Sequence, residues 1–172
     1  LCGDAEHFLQ AHLDPRRLAL IVDGQTVAER ADKGRRGKAV DQFLMEGFEK
    51  LVLDTVQANG VEPSRLKLEL TESMVVGDVP AVARRMEVLQ AAGVVLALDD
   101  FGTGYSSLGQ LRNLPFEELK LDRSFVLGAL ASPRGGTLAR NIVQLGHDLG
   151  LTVMAEGVET EQQMIFLRDV GC

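Results

Sequence analysis

Short apolar runs punctuate this chain, and most of them close on an acid. Leu66-Lys67-Leu68 leads into Glu69, Val94 to Leu98 into Asp99-Asp100, and Leu151 to Ala155 into Glu156. A further run, Leu119-Lys120-Leu121-Asp122, carries a lysine at a similar point. Between the runs, apolar residues recur at helical spacing. Repeated strand–helix units of roughly 30 residues imply a parallel sheet. In such a sheet the carboxyl ends of all strands face the same way. Carboxylates at several different strand ends favour a (β/α) barrel over an open doubly wound sheet. An eight-stranded barrel takes about 250 residues. The 172 residues supply about five or six units, so the expectation is an α/β, modified TIM-type barrel that is incomplete in this chain, either a fragment or a reduced barrel.

The helical patterns are readable one by one. Leu44, Phe48, Leu51, Val52, Thr55 and Val56 share a face, and Asn59-Gly60 ends that helix. Glu62-Pro63-Ser64 reads as a turn before a strand over Leu66 to Leu70. Asp78 and Pro80 suit a helix start, and Val79, Val82, Met86 and Leu89 make the buried stripe that follows. Val94 to Leu98 is nearly continuous, as expected of a strand covered on both faces. A glycine-rich loop comes next, then a short helix near Leu108 to Asn113 and a strand near Glu118 to Leu121. Pro133 to Gly136 reads as a loop, and Leu138, Ile142, Leu145 and Leu149 as a helix. Thr160 with Gln163 resembles a capping box opening the last helix, with Met164, Leu167 and Val170 on its apolar side. The first 43 residues are less regular: Ala5 to Leu13 looks helical, Leu18 to Val22 looks like a strand, and Ala31 to Lys38 reads as an exposed basic loop.

The chain is 45% hydrophobic and 25% charged, with net charge -7 and pI about 5.0. That balance argues against a general nucleic-acid-binding surface, which needs positive charge to replace counterions. A small phosphate ligand remains compatible, because bound metal inverts the local field. The two cysteines, Cys2 and Cys172, have neither metal-ligand spacing nor a disulfide framework, so a reducing, cytoplasmic setting is expected. No apolar run approaches the roughly 20 residues of a membrane span, so no membrane contact by this segment is expected. The start at Leu1 and the stop at Gly171-Cys172, where another strand is due, read as cut ends of a longer protein.

The acids can be weighed against blander roles. Glu69 reads equally as a solvated strand-end acid or as a metal ligand, and Glu72 as a residue that hydrogen-bonds a loop. Asp99-Asp100-Phe101-Gly102-Thr103-Gly104-Tyr105-Ser106-Ser107 is more specific. Paired acids after an apolar strand put charge where burial is costly unless a cation compensates. The glycines permit a tight turn that exposes backbone N–H groups. Lys120 reads as a snorkelling edge lysine or as a group that stabilises phosphate charge. Glu156 reads as a metal ligand or a proton acceptor, and Glu159 as an acid suited to a helix start. His7, His12 and His147 form no catalytic constellation, and each reads as a surface or packing residue.

From about Gln42 to Cys172 these strings resemble the EAL domain family, the cyclic-di-GMP phosphodiesterases of bacterial signalling. The resemblance is carried by Pro63 to Ser73, Leu98 to Leu108, Leu119 to Phe125, and Ala155 to Thr160, in the family's order and spacing. It implies one domain, divergent over 1–43 and recognisable over 44–172, that hydrolyses cyclic-di-GMP to pGpG with two Mg²⁺ or Mn²⁺ ions. It also implies roles: Glu69, Asp99 and Asp100 as metal ligands, Lys120 as the lysine positioning water and phosphate, Glu156 as the metal-linked acid, Glu159 beside the substrate, and Glu72 holding the loop after Asp99-Asp100.

Two of the family's ligands have no counterpart. The Glu-Ala-Leu stretch is absent, and the asparagine of the next strand falls on Ile21 in one alignment and on Gly37 in a gapless one. The family's last strand and its glutamine lie beyond Cys172. The alternative is therefore a catalytically inactive cyclic-di-GMP receptor or protein-interaction module. A homodimer, or contact with other domains of a longer signalling protein, is the partner expectation besides cyclic-di-GMP.

Overall fold

A computed structural model of the chain describes residues 43–72, 79–102 and 111–172, together with the backbone of two N-terminal strands. Six strands form one sheet in chain order: β1 (His12–Asp14), β2 (Arg17–Ile21), β3 (Leu66–Thr71), β4 (Val95–Phe101), β5 (Glu118–Leu121) and β6 (Thr152–Ala155). β1 and β2 are antiparallel, and every later pairing is parallel. Parallel strands laid down in sequence without a reversal are the wall of a barrel. A doubly wound sheet would instead reverse its order at a switch point. The fold is thus the expected α/β barrel segment.

Alternation along the strands separates two faces. Leu66, Leu68, Leu70, Leu96, Leu98, Leu119 and Leu121 are buried and form one cluster with helix residues such as Val52, Met86, Leu89 and Val143. The other face carries Lys67, Glu69, Ala97, Asp99, Glu118 and Lys120, all of them buried as well. An apolar outer layer and a charged inner one are what make these strands read as interrupted hydrophobic runs.

The helices are α1 (Phe48–Ala58), α2 (Val79–Ala91), α3 (Arg123–Ala131), α4 (Pro133–Asp148) and α5 (Glu161–Val170). α1 buries Val52 and Val56 and ends at the Asn59 C-cap, with Gly60 at φ 64°. Leu44 and Leu51, read as part of that stripe, are exposed. α2 buries Val82, Met86 and Leu89, the expected stripe. α5 opens with the expected capping box of Thr160 and Gln163, but Met164 on it is exposed.

Two expectations are corrected. Pro133 to Gly136 is the first turn of α4, not a loop. Ser132 caps it by accepting from Gly135 N, and Pro133 at N1 costs no hydrogen bond because that N–H has no helical partner. Proline and glycine looked like breakers only because their place in the helix was unknown. Second, His12–Asp14 is a strand pairing with β2, which contradicts a helix reaching Leu13. α3, which apolar spacing did not single out, fills 123–131. The remainder of the helix expected from Ala5, the basic stretch at 31–38, the Asp78 cap, the 103–107 loop and the first part of the helix near 108–113 lie outside the described residues. Among the described residues, no helix is long and apolar enough to cross a membrane.

Candidate active site

Four strand ends deliver charge to one place. Glu69 on β3, Asp99 on β4 and Lys120 on β5 lie on the inner face and are buried, and Glu156 directly follows β6. Lys120 Nζ donates to Glu69 Oε2 at 2.7 Å and stands 2.6 Å from Glu156 Oε1 and 3.3 Å from Asp99 Oδ1. Residues 51 positions apart therefore meet across β4. They can do so because Ala97, in register with Glu69 on one side and Glu118 on the other, leaves the inner face of β4 low between them. The snorkelling reading of Lys120 does not hold, since its ammonium group sits among three carboxylates rather than in water.

The end of β4 is irregular in a way that matters. Its pairing with β5 shifts register between Leu98 and Phe101, a β-bulge. Asp100 there takes φ 55°, a left-handed conformation uncommon for a residue with a side chain. The bulge takes Asp100 out of the regular alternation, so that Phe101 rejoins the apolar layer as a buried residue. Asp100 N donates to Asp99 Oδ1 at 2.9 Å, which fixes the Asp99 carboxylate at the strand end. Buried Glu72 accepts from Gly102 N at 3.2 Å, tying β3 to the start of the loop after the paired acids.

The electrostatics favour a cation beyond the lysine. Burial pushes the Glu69 carboxyl above its ordinary proton affinity, and although Lys120 opposes this, Asp99 and Glu156 add to it. Asp99 is raised likewise, by burial first, with Lys120 and its own hydrogen bond from Asp100 opposing and Glu156 reinforcing. Burial alone would lower Lys120. Hydrogen bonds to Glu156 and Glu69, with the charge of Asp99, outweigh it and hold the ammonium above the ordinary lysine range. One positive charge thus faces three negative ones, with Asp100 beside them. Among the described residues, no group of three acidic, histidine or cysteine side chains is arranged to chelate an ion; the oxygens of Glu69, Asp99 and Glu156 converge instead on the Lys120 ammonium group. The donor set is hard carboxylate oxygen, which suits Mg²⁺, Mn²⁺ or Ca²⁺. Glu69, Asp99, Asp100 and Glu156 could supply such oxygens, as the family resemblance implies.

Glu159 stands apart from this ring and pairs with Arg123 Nη2 at the surface. Sequence reading did not find that pair, nor a second charged layer under the first, where buried Lys67 pairs with Glu118. The alternation Lys67-x-Glu69 on β3 against Glu118-x-Lys120 on β5 is the signal that could have found the latter: opposite charges in opposite order on strands flanking a small residue.

Comparison with known proteins places the chain among relatives. The family model for the EAL domain matches residues 38–172. The bifunctional diguanylate cyclase/cyclic di-GMP phosphodiesterase MucR of Pseudomonas aeruginosa is 44% identical over 131 residues, 76% of this chain and 19% of that protein. The structure of the MucR phosphodiesterase in complex with c-di-GMP matches with TM-score 0.72 at 43% identity, covering 77% of this chain and 54% of the other. A manganese and c-di-GMP complex of Klebsiella pneumoniae BlrP1 matches with TM-score 0.68 at 32% identity, covering 76% and 33%. The chain spans 15 to 19% of the length of such curated relatives.

Proposed function

The chain belongs to the EAL domain family, and from that premise we propose that it is the phosphodiesterase part of a signalling protein, hydrolysing cyclic-di-GMP to linear pGpG with two Mg²⁺ or Mn²⁺ ions. The observation that carries this reading is the single ammonium group of Lys120 held by acids from three other strand ends, at 2.7, 3.3 and 2.6 Å. The c-di-GMP complex of MucR and the manganese complex of BlrP1 support the ligand and the metal class.

Bound ions would supply charge stabilisation and a more acidic water. The chain's own groups have separable tasks. Burial works against the Lys120 ammonium, but its hydrogen bonds to Glu156 and Glu69 and the charge of Asp99 outweigh it and raise its proton affinity. Its place in the ring suits a cation that orients a phosphate oxygen or the attacking water. The proton lost by water as it attacks phosphorus in line goes to a carboxylate, and Glu156 suits this task. It touches Lys120 yet its side chain remains 52% exposed, so it can pass the proton on to solvent. The bond from phosphorus to the leaving ribose oxygen breaks and that oxygen takes a proton from solvent, opening one of the ligand's two phosphodiesters. Initial-rate measurement of pGpG formation by the full chain with Mn²⁺ or Mg²⁺ tests the reading. The expected result is metal-dependent turnover that Glu69→Ala or Asp99→Ala abolishes; turnover no higher than in those variants rejects it.

One observation favours a second reading, a receptor that binds cyclic-di-GMP without cleaving it. Position 21 ends β2 in register with Glu69 and is isoleucine, a residue type without a side-chain oxygen. Calorimetric binding of cyclic-di-GMP without pGpG formation would select this reading over the first.

A further inference from the structure

Lys120 and Arg123 lie three residues apart on the turn from β5 into α3, and Glu156 and Glu159 lie three residues apart on the segment from β6 into α5. The two turns are tied by two parallel ion pairs, Lys120 to Glu156 and Arg123 to Glu159. Between those pairs sits Gly157, at φ 66°. A Cβ there would fall 2.5, 2.8 and 2.9 Å from Cγ, Cδ and Cβ of Arg123. The arginine stem therefore lies flat on the Gly157 backbone, in space that any other residue would fill. Its own base is rigid: Asp122 caps α3 by accepting from Ser124 N at 2.8 Å. The far end of the segment is fixed as well, because Glu159 N and Thr160 N donate to the buried Gln163 side chain at 2.8 and 2.9 Å. Strand pairing holds its near end, where Glu156 N donates to Leu121 O at 3.2 Å.

We infer that Arg123 is a positioning residue, a strap across Gly157 whose grip on Glu159 sets where Glu156 stands over the mouth. Its consequence for turnover rests on the phosphodiesterase reading above; its consequence for backbone order does not. The Arg123–Glu159 pair is more than half exposed on both sides. Pairs of that kind contribute little to global stability. A strap acting on the segment therefore differs from a structural brace: its loss should loosen residues 157–160 and leave the melting temperature nearly unchanged.

The test uses the full chain with Arg123→Met, which keeps the stem and removes the charge, Arg123→Lys, which keeps a charge, and Glu159→Gln. Hydrogen exchange of the backbone amides of 157–160, without metal, should speed by about 10-fold or more in Arg123→Met, with partial rescue in Arg123→Lys. Mn²⁺ affinity by calorimetry, or kcat at saturating Mn²⁺, should fall by about 10-fold or more. The Arg123→Met/Glu159→Gln double variant should lose little beyond the worse single one, because both remove one contact. Unchanged exchange in Arg123→Met, or fully additive losses in the double variant, overturns the strap. If the parent chain makes no pGpG while exchange still responds to Arg123→Met, the phosphodiesterase reading fails and the strap stands.

Discussion

Lys120 is the residue on which the site turns. Its ammonium group partly neutralises three carboxylates that would otherwise repel one another in a buried setting. Lys120→Met should reduce pGpG formation by about 100-fold or more, the scale of losing one aimed donor, as read from initial rates at saturating Mn²⁺. The pH dependence has a definite sign. Glu69 and Asp99 bind protons more tightly when folded than their reference values of 4.5 and 3.8 describe. The metal-free fold therefore gains from their protonation and loses that stability as pH rises through the raised folded values. A divalent cation needs the ionised forms and relieves their repulsion. Mn²⁺ should thus raise the melting temperature more at about pH 8 than at about pH 5. Calorimetric scans with and without Mn²⁺ at both values check this; the larger shift at the acidic value would contradict it.

At the scale of elements, the site depends on how closely consecutive pieces approach. α3 and α4 meet backbone to backbone: a Cβ on Gly135 would lie 2.0 Å from Gly128 O, whereas one on Gly128 would meet nothing within 4 Å. Gly135→Ala should cost about 1–3 kcal/mol by forcing the helices apart. Gly128→Ala in the interior of α3 should be neutral or stabilise by up to about 1 kcal/mol. Urea melts of the two variants side by side test the contrast, and equal effects would mean that the helix contact is not tight. The same closeness recurs at Gly146, where a Cβ would lie 2.5 Å from Val153 Cγ2, so α4 rests directly on β6. β6 in turn presents Glu156 to the ring.

At the scale of the whole molecule, the proposed metal binding would depend on how many strands bring donors to the mouth. β2 runs parallel to β3 and brings position 21 level with Glu69, but that position is isoleucine. Ile21→Asn should tighten Mn²⁺ binding by about 10-fold, the scale of a good additional contact, as read by calorimetry on the full chain. No change would mean that β2 does not reach the ions. The chain spans less than a fifth of the length of curated relatives such as MucR, and the reaction proposed for it is tested on the chain itself.

What could be read from residues alone is what is local or periodic. The strand–helix alternation, the acids closing the apolar runs, and the Thr160–Gln163 capping box each depend on neighbours a few residues away, and their spacing records the conformation directly. Pro133 to Gly136 misled because breaker residues inside a first helical turn look the same as a loop until the cap is seen. Only the tertiary structure decided which charges meet. Lys120 with Glu69, Lys67 with Glu118, and Arg123 with Glu159 are 51, 51 and 36 residues apart. Strand register, a small residue at Ala97, the bulge at Asp100 and the bare backbone of Gly157 bring them together. The alternating charges on β3 and β5 mark which residues could pair, but the register that makes them meet is a relation between strands.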